Sequence, residues 1–408
     1  MAQGIVAARS IDQAYVETVQ KRYFLGEDDV LLNPSLTPIL TLVTKIGNRK
    51  KSTNAARIEW IEDDYLNVWG QVSNSTVAYT SVSTSIVVVD ASIFAVNDLV
   101  AIPGAVSASA VEEVVQVTAV TLATNTLTIT RGIGGSGANT IGATADLRIL
   151  APAFPEGAAY GTVRTTAKSV LISYTQIFRR PVSVTKSEVA QALFGPSNDR
   201  LYQRRKMLEE HRRDMESAGL WSHPSETLAL PSTIRTTMGF KNRIVTNVYN
   251  ANGTLTEAGF LTFTQQAFGQ YYEGSEKLLV CAPIVITGLD TWANNKLRLA
   301  PGDDIYGVKV SRYTTNHGDF MVTRDLNLQN APSGSGLGWG DEAYAIDLDS
   351  VEFAPLVGNG ENRDTQLLVD VVKDGADLYR DEYLTEAGWV IRFEKRHARM
   401  YNVVNVSL

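Results

Sequence analysis

The chain has 408 residues, 44% of them hydrophobic and 20% charged, against roughly 25% charged in an average soluble protein. Its 37 basic and 44 acidic residues leave a net charge of -7, which argues against a protein that grips duplex DNA tightly by its phosphates. A single cysteine, Cys281, excludes an intrachain disulfide framework, and no run of 18 apolar residues is long enough for a membrane helix.

The N-terminal residues Met1 to Ala8 lack a basic region, and Arg9 interrupts their apolar stretch, so no secretory signal is expected. The chain reads as soluble and made in the cytoplasm. Residues 1–50 read as an arm with short helical pieces, in which Ile11, Tyr15, Val19 and Tyr23 share one stripe before Pro34 and Pro38 interrupt it. Lys45, Arg49, Lys50, Lys51 and Arg57 follow with no acid among them. A nucleic-acid contact there is weighed against a solvated or subunit-facing basic patch, and the patch is favoured.

Residues 51–76 and 156–180 read as extended. About 20 such residues span ~65 Å, so a pairing between them predicts a hairpin too long to be stable without another surface. Residues 77–155 form a charge-poor island with short strands at Ser85 to Val89, Val114 to Val120, Thr126 to Thr130 and Leu147 to Leu150, which predicts a small β-barrel or sandwich.

Thr185 and Glu188 make a capping box for a short helix ending near Gly195–Pro196. A long helix is predicted from about Asp199 to Leu220, with Arg205–Glu209, Glu209–Arg213 and Arg212–Glu216 as surface pairs along it. Residues 226–350 read as an α/β unit. It holds a helix capped by Thr254 and Glu257 and closed near Gly274, a buried strand through Leu279, and a hairpin turned at Asn316–His317–Gly318. Strands dominate from residue 344 onward.

No motif carries convincing chemistry. Gly132, Gly134 and Gly137 match G-x-G-x-x-G, but no helix follows to offer its N-terminus to a phosphate. His211, His223, His317 and His397 have no metal-ligand spacing. Asp347, Asp349 and Glu352 loosely match a calcium loop without its glycine and terminal glutamate. Asp374, Asp377, Asp381 and Glu382 could do acid–base work, but a solvated or salt-bridged face is the preferred reading. Cys281, within an apolar run, reads as a buried small hydrophobe.

Several stretches, in their order, resemble a tailed-bacteriophage major capsid protein of the Hong Kong 97-type fold. Ser35-Leu36-Thr37-Pro38-Ile39-Leu40 with Glu59-Trp60 resembles the passage from arm to extended loop. Arg131-Gly132-Ile133-Gly134-Gly135 resembles the turn of a β domain inserted in that loop. Thr175-Gln176-Ile177-Phe178, Val182-Ser183-Val184-Thr185 and the helix ending Arg213-Asp214-Met215-Glu216-Ser217-Ala218 resemble the strand leading into the spine helix. Glu382-Tyr383-Leu384-Thr385 with His397-Ala398 resembles the final strands.

The resemblance implies an α+β subunit with an N-terminal arm (1–50) and an extended E-loop (51–76 and 156–180) carrying an inserted β-barrel or sandwich (77–155). It further implies a P-domain (181–225 and 351–408) with a spine helix at about 199–220, and an A-domain (226–350). The implied function is self-assembly into hexamers and pentamers of an icosahedral shell around double-stranded DNA, with scaffolding, portal and decoration proteins as partners, no cofactor and no membrane. A phage tail, baseplate or adhesin component is the alternative, and an enzyme is not expected. No long charged leader precedes the arm, so the subunit is expected to begin at or next to Met1 beside a separate scaffold. Assembly contacts are expected at Tyr15, Tyr23, Trp60, Trp69, Arg179 and Arg180. A weak, non-specific inner-face DNA contact is expected at Lys45, Arg49, Lys50, Lys51 and Arg57.

Overall fold

The described residues fold into two compact bodies, one drawn from residues 1–60 and 171–408 and the other from 61–170. The computed structural model describes residues 37–45, 49–73, 78–102, 112–158, 161, 164–190, 199–229, 232–269, 274–294, 299–305, 308–328, 341–371 and 376–407. The N-terminal stripe with Tyr15 and Tyr23 lies outside them, as does Asp374.

In the larger body, a seven-stranded mixed sheet runs in the order Val248–Leu255, Ala398–Val406, Ala343–Ile346, Glu276–Cys281, Asp319–Arg324, Val308–Thr314, Leu299–Ile305. Glu276–Cys281 lies parallel to Asp319–Arg324 and antiparallel to Ala343–Ile346. Leu278 to Cys281 are all buried, as expected for a strand covered on both faces, which reads as a continuous apolar run.

Helices Glu257–Phe268 and Pro283–Asn294 contribute Phe260, Phe263, Val285 and Leu289 to the core around this strand. The first of them corrects the sequence expectation. Its cap is Thr256, whose Oγ1 accepts the Gly259 N–H at 3.1 Å. Thr254 and Leu255 stay extended because they pair with Asn405 and Val406. The helix closes at Gly269, not near Gly274.

A second sheet is built on the 14-residue strand Leu378–Ile391, flanked by Val351–Pro355 and Gln366–Leu368 and paired along Leu378 to Ala387 with Gln176–Thr185. The long helix Asp199–Trp221 packs on Gln176–Thr185 and Leu378–Ile391. Close approach requires Gly219, where an added Cβ would fall 2.6 Å from the Trp389 ring. The Trp389 indole N–H donates to Met215 O at 3.0 Å. The short helix Pro38–Lys45 buries Ile39, Leu40, Leu42 and Val43 in the same core. The segment read as arm therefore joins the body from Pro38 onward.

Arg57–Glu62 pairs with Ser169–Tyr174. The hairpin strands are thus six residues long, ~20 Å at strand rise, far short of the expected ~65 Å. Past Thr175 the chain leaves this pairing and joins Leu378–Ile391.

The smaller body is a six-stranded antiparallel sheet in the order Trp69–Gln71, Asp146–Pro152, Asp98–Ile102, Glu113–Thr121, Thr126–Thr130, Ser85–Val87. Its two edges meet, with Ser73 N–H donating to Val87 O and Val89 N–H to Gln71 O, each at 2.9 Å. The sheet is closed into a small barrel, which removes its free edges. Ile86, Val100, Val115, Val117, Leu127, Ile129 and Leu147 fill it.

Candidate functional site

The basic cluster is neutralised inside its own body. Residues 49–53 run parallel to Val351–Pro355, with Phe353 N–H donating to Arg49 O and Thr53 N–H to Pro355 O. This register brings acids against the cations from some 300 residues away. Arg49 pairs with Asp349, Lys50 with Asp364 at 2.5 Å, and Lys51 with Glu352 at 2.5 Å. Arg57 pairs with Glu59 at 2.6 Å. Lys45 ends the helix Pro38–Lys45, and its side chain lies outside the description. Arg49 also lines an open groove with Arg396, Glu276, Asp347 and Asp349, so acids outnumber bases there.

The expected assembly residues divide. Trp60 is 9% exposed and sits in the core with Phe178 and Trp389, which corrects the expectation of an aromatic offered to a neighbour. Trp69 is 42% exposed on the barrel, with the Arg148 guanidinium 5.3 Å from its ring. Arg180 makes a bidentate pair with Asp214 on the long helix at 2.6 and 2.9 Å, so it fastens strand to helix. Arg179 is more than half exposed and pairs with Glu382 at 2.9 Å.

The family model for SU10 major capsid protein matches residues 26–404. This chain belongs to that family. It is a structural shell subunit of the phage virion and not an enzyme. The long helix lying on the sheet around Leu378–Ile391 is the Hong Kong 97-type α+β arrangement that the sequence resemblance implies. Among solved structures, the chain is similar to the capsid of Cyanophage A-1(L) at 11% identity and TM-score 0.46, covering 93% of this chain and 97% of that one. It is similar to the capsid of Myoviridae Phage XM1 at 8% identity and TM-score 0.43, covering 94% and 98%. The capsid of an empty GTA particle aligns at 8% identity and TM-score 0.43, covering 97% and 100%. No curated protein sequence matches significantly.

Among the remaining candidate residues, Asp381, Asp377 and Asp347 have structural partners. Asp381 accepts from Arg200 and Arg204 at 2.6–2.7 Å. Desolvation pushes its carboxyl up, but the two guanidiniums prevail and hold it below the usual carboxylate range. Asp377 lies 3.7 Å from Lys186. Asp347 caps the turn Leu348–Ser350, accepting from Ser350 Oγ at 2.7 Å and Asp349 N–H at 3.0 Å. No group of three or more potential metal ligands occurs among the described residues. Burial pushes the Cys281 thiol up, so it stays protonated.

The glycine motif is explained by charge. Arg131 makes a bidentate pair with Glu113 at 2.6 Å, and Glu113 also accepts the Asn139 N–H at 2.9 Å. The chain must therefore fold tightly around this pair, with Gly132, Gly134, Gly135 and Gly137 all at positive φ. No phosphate-binding helix follows.

Sequence reasoning missed Glu216. Its spacing from Arg212 suggests a surface pair, yet it is 1% exposed and accepts the Leu40 N–H at 3.0 Å. The available signal was the adjoining core run Met215, Gly219 and Leu220, which marks that side of the helix as inward.

Proposed function

We propose that this subunit forms the hexamers and pentamers of an icosahedral shell enclosing double-stranded DNA, which it contacts weakly and without reading sequence. The observation that carries the reading is the capsid family match over residues 26–404. In this reading the arm (1–50), through its residues ahead of Pro38, and the E-loop (51–76 and 156–180) act between subunits. The barrel (77–155) is the loop's insertion, and the P-domain (181–225 and 351–408) and A-domain (226–350) make the shell floor. Trp69 and Arg179, both exposed, are the contact residues best placed to meet a neighbour.

The subunit is made in the host bacterial cytoplasm and assembles with scaffolding and portal proteins, with decoration proteins as outer partners. The weakness of DNA contact follows from electrostatics. With Arg49, Lys50, Lys51 and Arg57 already paired to acids, few counterions are released on binding phosphates. Purified subunits mixed with duplexes of unrelated sequence should retard them equally at low salt and lose them near physiological salt. A site-selective complex at physiological salt would contradict the reading.

A further inference from the structure

Glu216, near the end of the long helix, and Asp325, just after strand Asp319–Arg324, are both buried. Leu40 N–H donates to Glu216 Oε2 at 3.0 Å, and Ile39 N–H donates to the same carboxyl. These amides lie in the first turn of helix Pro38–Lys45, where N–H groups have no intrahelical acceptor. Asn327 N–H donates to Asp325 Oδ1 at 2.8 Å. The Asn327 side chain also donates to Asp325, and the Glu216 and Asp325 carboxyl groups lie close enough to interact directly. Glu216 Oε1 and Asp325 Oδ2 have no donor among the described residues. Two carboxylates hold no proton to donate to one another, whereas one shared proton satisfies both orphan oxygens.

We infer that Glu216 and Asp325 share a single proton, forming a latch that ties helix Pro38–Lys45 to the long helix and to the segment after strand Asp319–Arg324, and that the latch opens when that proton leaves to solvent.

Among the described residues, the surrounding charges offer no substitute for the proton. On the long helix itself, Asp214 and Glu210 are held by Arg180 from strand Gln176–Thr185, and His211 Nε2 bonds Thr385 Oγ1. From the helix Phe240–Arg243, Lys241 reaches Glu342 and Arg243 donates to Ile391 O. Arg399 pairs with Glu342, and Arg324, next to Asp325, is exposed. No ion pair reaches Glu216 or Asp325 among the described residues.

Burial, and then the charge of Asp325, pushes the Glu216 carboxyl well above the usual carboxylate range, and burial raises Asp325 as well. The folded state therefore keeps a proton that the unfolded chain has released. The latch is closed at low pH and weakens as pH rises toward the raised value.

Hydrogen exchange of the peptide covering Pro38–Lys45 tests this in the full-length subunit, from about pH 6 to about pH 9 and corrected for intrinsic exchange. In the wild-type chain, protection of that peptide should fall by more than about tenfold over the range. In Glu216→Gln, which donates to Asp325 and accepts from Leu40 without titrating, it should stay flat. Equal profiles in the two proteins overturn the latch. If Glu216→Gln does not fold, Asp325→Asn supplies the donor from the other side and should also be flat. Independently, the wild-type chain at neutral pH should show a protonated-carboxyl C=O stretch in the infrared that either variant removes, and a spectrum without that band overturns the latch.

Discussion

Burial pushes the His397 imidazole down to about 4, and its ring bonds the Asp347 N–H and the Arg392 carbonyl as a neutral group. A folded-state value below the ordinary 6.5 means that the unfolded chain takes up the proton first. The contribution is present above that ordinary value and is lost as pH falls toward 4, an effect on the order of 3 kcal/mol. Urea unfolding across acid pH should show this limb, and His397→Gln should flatten it; an unchanged limb would assign the acid sensitivity elsewhere. In the barrel, Arg131→Ala leaves the Glu113 charge buried and unpaired, which should cost about 3 kcal/mol or more. Thermal unfolding of the full chain followed by a barrel reporter such as Trp69 measures it. A loss below about 1 kcal/mol would mean that water replaces the guanidinium.

Two truncations separate the arm from the body at the scale of the element. Residues 39, 40, 42 and 43 fill the core, and emptying one such site alone costs about 2–5 kcal/mol. Deleting residues 2–36 should leave a folded subunit that closes shells poorly, while deleting 2–45 should unfold the larger body. Circular dichroism of both proteins checks this, and two equally folded chains would show that helix Pro38–Lys45 is dispensable. For the barrel, Glu62 and Ser169 end paired strands, and loop-closure cost grows slowly with length. Replacing residues 63–168 by a short Gly/Ser linker should therefore keep the native fluorescence of Trp389; a denatured-like spectrum would make the barrel integral to the body.

Elements with local signals were legible: the long helix was placed to within one residue of Trp221, and four of the six barrel strands were found from short apolar runs between turns, while Trp69–Gln71 and Asp98–Ile102 were not. Long-range pairing was not. The acids that neutralise Arg49, Lys50 and Lys51 lie some 300 residues away, and the parallel register of Val248–Leu255 with Ala398–Val406 moved a helix cap by two positions. The short paired stem, the burial of Trp60 and the Glu216–Asp325 contact share that cause, because each is decided by a segment no local window contains.

At the scale of the whole molecule, the net charge of -7 and the internally paired basic cluster fit a subunit held in its shell by contacts with copies of itself more than by its grip on DNA. Self-association is therefore the central claim. Negative-stain microscopy of the purified full-length chain, expressed without other phage proteins, tests it most directly. Closed or aberrant shells and curved sheets are the predicted result. Compact monomers at every concentration, or long fibres without curvature, would contradict it.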